Sequence, residues 1–214
     1  MIISHKHQFI FVKTKKTAGS TLEKLLYPHL GEFDIITGSE RDGTPRKNTS
    51  SNNGHMSWRQ IESAYPLEWR EYYKFTIERN PWDKVVSSYF WHKTIKEERF
   101  GAMSFEEYVM TCDLLPVDWS IYGDQNGVKV DTVYRYENLP QMYEELNNKY
   151  GFDISRETLM ETRLKSGIRK VADYRDMHTE ATQNKVANLF KHEIAFMRYN
   201  YDNIAQTQVF VHQD

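Results

Sequence analysis

The chain has 214 residues, of which 39% are hydrophobic and 27% charged, and its formal net charge at pH 7 is -2. This composition suits one folded domain with its own core and excludes a disordered tail. The near-neutral charge argues against bulk binding to nucleic acid, so any affinity for an anion has to come from a local group of basic residues. With Cys112 as the only cysteine and no apolar run long enough to span a membrane, we predict a soluble, cytoplasmic protein without a membrane partner.

The first predicted elements are a strand, a polar loop and a helix. Residues 9–12 form a short apolar run that is typical of a strand buried on both faces. The polar residues 13–19 follow. Ser20 with Glu23 then forms a capping-box pattern, which predicts the start of a helix that ends at Pro28. A strand, a loop and a helix start in this order open an α/β nucleotide-binding domain.

The next part of the chain is mostly polar. Residues 35–36 predict a short strand, and residues 38–54 contain no large apolar side chain. A segment of that composition cannot bury enough apolar surface to order itself, so we predict a mobile surface loop. Ser57 with Gln60 then caps a predicted helix.

Strands and helices alternate along the rest of the chain. A strand at 72–77 runs into Arg79, and Asn80 with Pro81 predicts the start of a helix. The later predictions are a helix capped by Ser104, a strand at 130–136, a helix at 140–150, and a last helix that starts near Thr179 and buries Val186, Leu189, Phe190, Ile194 and Met197. The predicted fold class is therefore α/β. It is a single P-loop-like, three-layer domain with a mostly parallel central sheet covered by helices on both faces, followed by a tail at 202–214.

Basic and hydroxyl side chains surround the start of the first helix: Lys13, Lys15, Lys16, Ser20 and Thr21. Backbone N–H groups at a helix start carry partial positive charge, and Gly19 lets a ligand approach the backbone closely. The loop suits a phosphate or a sulfate, although a lysine-rich surface turn before an ordinary helix fits the spacing equally well. It is not the common P-loop, G-x-x-x-x-G-K-[ST], because its lysines precede its only glycine.

A second anion site is predicted at residues 79–89. Arg79 lies at a strand end, and Ser87 lies about two turns into the following helix. A guanidinium and a hydroxyl can hold one anion together. Taken alone, Arg79 fits better as a structural residue that pairs with a carboxylate.

Taken together, the two segments resemble the PAPS-dependent sulfotransferase family, where PAPS is 3′-phosphoadenosine 5′-phosphosulfate. The stretch Lys16-Thr17-Ala18-Gly19-Ser20-Thr21 is similar to the family's 5′-phosphosulfate loop, and residues 75–83 with Ser87 are similar to its 3′-phosphate segment. Residues 133–139 are similar to a later family strand. Residues 165–170, which include Arg169 and Lys170, are similar to the basic loop that closes over the nucleotide in glycan 2-O-sulfotransferase-like members. The resemblance covers most of residues 9–201.

Two positions depart from the family pattern. Lys15 stands where a proline often precedes the loop lysine, and Leu22 stands where many members that act on small molecules have a tryptophan. The second departure leaves the residue that stacks on adenine unassigned, and it points away from the members that act on small phenols.

The resemblance implies metal-free, in-line transfer of the sulfuryl group from PAPS to an acceptor hydroxyl, with adenosine 3′,5′-bisphosphate (PAP) as the product. Lys16 is then placed to stabilise the charge on the leaving oxygen. His55 lies between the two phosphate segments, where the family keeps its base. A structural role for this histidine stays open, and His178 is the alternative base. Residues 38–54 suit a hydroxyl-rich or anionic acceptor such as a glycan.

Two other functions remain open. A P-loop-like kinase would need Mg²⁺ ligands near the first loop, and the nearby aspartates considered for that role are Asp34 and Asp83. A nucleotide-binding module without catalytic activity would bind PAP and turn over no acceptor. The presence of Lys16, His55, Arg79 and Ser87 argues against this second alternative.

Overall fold

The structure is a computed structural model that describes residues 1–38, 46–155, 157–158, 162, 168, 171–202 and 209–210. Arg169 and Lys170, predicted to close over the nucleotide, lie outside the described residues, as do residues 39–45 of the polar segment. The described chain forms two compact units. Of the described residues, the sheet unit contains 1–38, 46–78, 120–155, 157–158, 162 and 209–210, and the helical unit contains 79–119, 168 and 171–202. That the whole chain is one domain stays a prediction.

Eight strands are described, all within the sheet unit: β1 (Ile2–Ser4), β2 (Phe9–Phe11), β3 (Ile35–Ile36), β4 (Tyr73–Glu78), β5 (Gly123–Asp124), β6 (Gly127–Val128), β7 (Thr132–Arg135) and β8 (Val209–Phe210). The main sheet has the order β3-β1-β2-β4-β7-β8, and β5 and β6 form a separate hairpin. β2, β4 and β7 pair in parallel, whereas β1 pairs antiparallel with β2 and β3, and β8 antiparallel with β7. β2, β3, β4 and β7 therefore run in one direction, which confirms the predicted mostly parallel α/β sheet.

Helices flank this sheet and build the helical unit. The α-helices described are α1 (Gly19–Leu26), α2 (Trp58–Ala64), α3 (Pro66–Glu71), α4 (Pro81–Ile95), α5 (Glu97–Phe100), α6 (Phe105–Thr111), α7 (Trp119–Tyr122), α8 (Leu139–Tyr150), α9 (Glu180–Leu189) and α10 (Lys191–Met197). Short 3-10 helices lie at Tyr27–His29, Tyr136–Asn138 and Tyr174–Met177. In the described part of the chain, no helix combines the length and the apolar character that crossing a membrane requires.

The caps of four predicted helix starts are confirmed. Ser57, Ser104 and Thr179 each accept a hydrogen bond from the N–H group three residues later, in complete capping boxes. The Asn80 side chain accepts from the N–H groups of Trp82 and Asp83, and proline occupies the first turn of α4. These helix starts were predictable because each depends on a hydrogen bond between groups only two or three residues apart in the chain.

Two predicted helix features are wrong. The N-cap residue of α1 is Ala18, in the left-handed conformation, and no side chain caps the helix, so Ser20 and Glu23 form no capping box. The predicted last helix is interrupted at Phe190, whose φ is -101° and ψ 24°. Of the residues predicted to be buried, Val186, Phe190 and Met197 are buried, but Leu189 is 38% exposed and Ile194 is only partly buried.

The core of the sheet unit places α1 and α8 on the same face of the sheet. Side chains from strands and both helices form one buried cluster that includes Phe9, Phe11, Phe75, Ile77, Leu22, Leu25, Leu26, Met142, Tyr143 and Leu146. Residues two apart in a strand share a face, so one face of β2 and β4 supports both helices. Because α1 is packed against β2 in this way, the loop that joins them is held at the carboxyl end of β2.

Candidate active site

The loop between β2 and α1 has a strained backbone. Lys16 has a φ of 60° and Ala18 a φ of 62°, a left-handed region that residues other than glycine rarely adopt. Such conformations persist only where the surrounding structure holds them, and they are concentrated at active sites and ligand-binding sites. Left-handed residues within a turn also direct backbone N–H groups into concavities that bind anions. This geometry favours the anion-binding interpretation of the loop over an ordinary surface turn.

Threonine side chains fix the loop against β4. The Thr14 hydroxyl donates to the carbonyl of Ile77 and lies 2.9 Å from the Thr17 hydroxyl. Thr17 is fully buried, so its hydroxyl serves the loop's own structure. Thr21 and Gly19 are buried as well, whereas Lys16, Ala18 and Ser20 are partly exposed. Within the segment 16–21, these three residues are the more open ones.

Lys13 is part of the loop in a way that the sequence did not indicate. Its Nζ donates to Glu23 Oε2 at 2.5 Å and to Ser20 Oγ at 3.1 Å, and both acceptors lie on α1. The lysine side chain crosses directly over Gly19, because a Cβ atom there would lie 2.8 Å from Lys13 Cγ. Gly19 is therefore needed to make room for Lys13. The Lys13–Glu23 ion pair ties the beginning of the loop to the first turns of the helix.

The structure brings His55 to this loop. Its ring atom Nδ1 lies 3.0 Å from the main-chain carbonyl oxygen of Lys13, and its backbone N–H donates to Asn53 Oδ1 at 3.0 Å. The side chain is partly exposed. The predicted base thus lies next to the loop that joins β2 to α1 (residues 12–18), hereafter the donor loop, within the sheet unit.

The described part of the polar segment is held by hydrogen bonds. Lys47 forms a β-bridge with Ile36, with both N···O distances at 3.1 Å, and the N–H of Gly38 donates to the carbonyl of Ser51 at 3.2 Å. Arg46 Nη1 donates to Asn52 Oδ1 at 2.6 Å. Composition alone did not reveal these contacts, since they involve main-chain groups and polar side chains. The mobility predicted for residues 38–54 stays a prediction.

Arg79 and Ser87 both belong to the helical unit. Arg79 directly precedes Asn80, the N-cap of α4, and is 6% exposed, and its Nε and Nη2 each lie 2.7 Å from Asp83 Oδ2. This is the carboxylate pairing that the sequence left open. A guanidinium has five N–H donors, so the pairing is compatible with an additional anion. Ser87 lies on α4 and is partly exposed.

The two aspartates that a kinase would need have structural contacts. Asp34 is buried and accepts hydrogen bonds from the Ser4 hydroxyl at 2.6 Å and from the backbone N–H groups of His5, Lys6 and Gly31 at 2.8 to 3.0 Å. Burial raises the pKa of Asp34, but these hydrogen bonds outweigh it and leave the pKa below its usual value. Asp34 therefore stabilises the turn between β1 and β2. Asp83 pairs with Arg79.

His178, the alternative base, lies in the helical unit. Its Nε2 is 3.2 Å from the carbonyl oxygen of Trp82, and its Nδ1 is 3.2 Å from Thr182 Oγ1. Burial lowers the pKa of His178, although the Trp82 carbonyl and Asp83 act in the opposite direction. Because both ring nitrogens have partners within the helical unit, His178 fits a structural role better than the role of a base.

Comparison with known proteins decides the family. A family model described as the sulfotransferase family matches residues 1–202. The chain belongs to the sulfotransferase family. The structure is also similar to the crystal structure of mouse sulfotransferase SULT7A1 complexed with PAP, with a TM-score of 0.52 and 10% sequence identity, over 89% of this chain and 86% of that chain. At this identity the likeness shows a shared fold. No curated protein matches the chain significantly.

Proposed function

We propose that this sulfotransferase transfers the sulfuryl group of PAPS to an acceptor hydroxyl. The observation that carries the proposal is the donor loop. In a member of this family, Lys16 and Ala18 adopt left-handed conformations immediately before the eight-residue helix α1. A strained, lysine-bearing turn at a helix start suits a phosphosulfate group, and sulfotransferases of this family use PAPS as the donor.

Each part of PAPS has proposed partners in the chain. The phosphosulfate binds to the backbone N–H groups of the donor loop, with Lys16, Ser20 and Thr21. The 3′-phosphate binds to Arg79 and Ser87, as a charge-assisted contact to guanidinium with a hydroxyl beside it. Arg169 and Lys170 are proposed to close over the nucleotide.

The proposed reaction is a metal-free, in-line displacement at sulfur. The acceptor oxygen forms a bond to sulfur while the bond from sulfur to the bridging phosphate oxygen breaks, and the electron pair stays on that oxygen. PAP then leaves, and Lys16 stabilises the negative charge that develops on it. His55 accepts the proton that the acceptor hydroxyl loses. SULT7A1, the structural neighbour, is described in complex with PAP, the product that this displacement would release here.

The donor site predicts a clear preference among nucleotides. PAP should bind much more tightly than AMP in calorimetry, because AMP lacks the phosphate that Arg79 contacts. Arg79→Ala should weaken PAP binding by roughly 1.5–3 kcal/mol and leave AMP binding nearly unchanged.

Arg99→Ala is the matched control, since Arg99 is an exposed arginine of the same unit that pairs with Asp113. Arg99→Ala should leave the affinities for PAP and AMP unchanged. Ser87→Ala repeats the test of the 3′-phosphate site and leaves the Arg79–Asp83 ion pair intact. Equal affinities for PAP and AMP would remove Arg79 and Ser87 from the donor site. Phosphoryl transfer from ATP to an acceptor would contradict the proposed reaction itself.

We further propose that the acceptor is a hydroxyl-rich, anionic glycan. Arg46 and Lys47 are the cations of the described polar segment, which leads along the chain to His55. The double change Arg46→Ala/Lys47→Ala should raise KM for a carboxylated or sulfated glycan about 3- to 30-fold, since two charge-assisted contacts are lost. PAP affinity should stay unchanged, as measured by calorimetry. Arg59→Ala is the control, because Arg59 is an exposed arginine on α2. An unaltered KM in the double variant would show that the acceptor does not bind to Arg46 and Lys47.

A further inference from the structure

Two of the contacts of His55 hold it in place. Its backbone N–H donates to Asn53 Oδ1, two residues earlier, which is the hydrogen bond of an Asx turn. Its ring contacts the carbonyl oxygen of Lys13 through Nδ1. The first contact fixes how the backbone enters residue 55, and the second fixes the rotation of the imidazole. Side-chain hydrogen bonds of this local type set chain direction where no helix or strand does.

We propose that Asn53 and the Lys13 main-chain carbonyl position His55 with the proton on Nδ1, so that Nε2 is the atom that accepts the proton of the acceptor hydroxyl. This inference rests on the proposed function for the role of His55 as the base. Asn53 is a positioning residue, because it acts through His55.

The chemistry of the contact assigns the proton. A carbonyl oxygen only accepts hydrogen bonds, so a ring nitrogen 3.0 Å from it has to carry a hydrogen. A neutral imidazole has one N–H, and the lone pair therefore resides on Nε2. When a carbonyl accepts the Nδ1–H of a histidine, Nε2 is the single basic atom of the ring. In metal sites, a hydrogen bond from one ring nitrogen fixes the tautomer and orientation of histidine in the same way.

The carbonyl of Lys13 is itself held firmly. Thr76 Oγ1 donates to the carbonyl of the residue before it, Val12, at 2.6 Å, and the Thr14 hydroxyl after it donates to Ile77. Both neighbours of Lys13 are thus bonded to β4. Lys16 is three residues further along the same loop. The proposed base therefore contacts the segment that carries the lysine proposed to stabilise the leaving oxygen.

The tautomer is measured directly by long-range ¹H–¹⁵N NMR of the full chain labelled with ¹⁵N, at a pH where His55 is neutral. The His55 signals are identified by their loss in His55→Asn. We expect Nδ1 to give the shift of a protonated nitrogen and Nε2 that of an unprotonated one. The opposite assignment, or equal mixing of the two tautomers, overturns the proposal.

Asn53 is tested by kinetics with a conservative rescue. Asn53→Ala should lower kcat roughly 3- to 10-fold, the effect of one lost hydrogen bond, while KM for the donor stays within about twofold. Asn53→Asp keeps an acceptor oxygen and should restore most of kcat. Asn126→Ala is the control, because Asn126 is an exposed asparagine of the same unit, in the turn between β5 and β6. Equal effects of the two alanine changes, or a failure of Asn53→Asp to rescue, contradict a positioning role for Asn53.

The failures of the two proposals are distinguishable. If His55→Ala keeps full transfer activity, the proposed base is wrong, and the NMR assignment still decides the tautomer. If the tautomer is reversed while His55→Ala abolishes transfer, the base is correct and the positioning proposal is overturned. Asn53 is exposed, so its variants should unfold at the wild-type midpoint, which thermal unfolding checks.

Discussion

His55→Ala should slow sulfuryl transfer by roughly 10²–10⁴-fold and leave PAP binding nearly unchanged. A general base acts on the proton of the acceptor hydroxyl in the transition state, so its removal affects the chemical step and not the affinity for the donor product. Single-turnover kinetics with PAPS measures the first quantity and calorimetry with PAP the second. Added imidazole should restore part of the rate, because a small base can occupy the space that the ring leaves.

Two other changes make this result specific. His178→Ala should retain most of the transfer activity, since the His178 ring contacts Trp82 and Thr182 within the helical unit. Lys16→Met should also slow transfer strongly, because it removes the cation proposed at the leaving oxygen, but imidazole should not rescue it. Full activity of His55→Ala at neutral pH would show that the base lies elsewhere.

The sequence predicted the elements whose signals are local. The apolar run at β2, the caps of α2, α4, α6 and α9, and the alternation of strands with helices all depend on residues close together in the chain. The prediction at α1 used the same logic and failed. Ala18 adopts a left-handed conformation and the helix begins at Gly19, so Ser20 lies inside the first turn and cannot be the N-cap. The Glu23 carboxylate accepts from Lys13 and from the Met1 ammonium group, and not from the backbone of its own helix start.

The contacts that support the candidate site could not be predicted from the sequence. Order along the chain placed His55 between the two phosphate segments, but the Lys13 carbonyl as its partner is separated from it by 42 residues. The left-handed backbone at Lys16 is equally hidden, because lysine has no preference for that region. The sequence also did not predict the interruption of the last helix at Phe190, because apolar residues continue at helical spacing across it.

A buried charge cluster in the helical unit gives the largest expected effect on stability. Lys84 Nζ on α4 lies 2.9 Å from Asp118 Oδ2, and both side chains are 0% exposed. The backbone N–H groups of Asp118 and Trp119 donate to Glu193 Oε1 on α10 at 3.1 and 2.9 Å, and Glu193 is also buried. The lysine thus joins α4 to the chain before α7, and that chain is in turn bonded to α10.

Lys84→Met should lower the free energy of unfolding by about 3–5 kcal/mol, because methionine fills a similar volume but leaves the Asp118 carboxylate buried without this cation. Such a loss is a large part of the roughly 5–15 kcal/mol that holds a typical domain folded. The double variant Lys84→Met/Asp118→Leu should recover much of this free energy, because replacing a buried ion pair by apolar side chains is often neutral in stability.

Urea unfolding of the wild type, Lys84→Met and the double variant measures these differences. Arg99→Met is the control, because it removes the cation of the exposed Arg99–Asp113 pair and should leave the unfolding midpoint nearly unchanged. If Lys84→Met unfolds at the wild-type midpoint, the Lys84–Asp118 ion pair does not stabilise the helical unit.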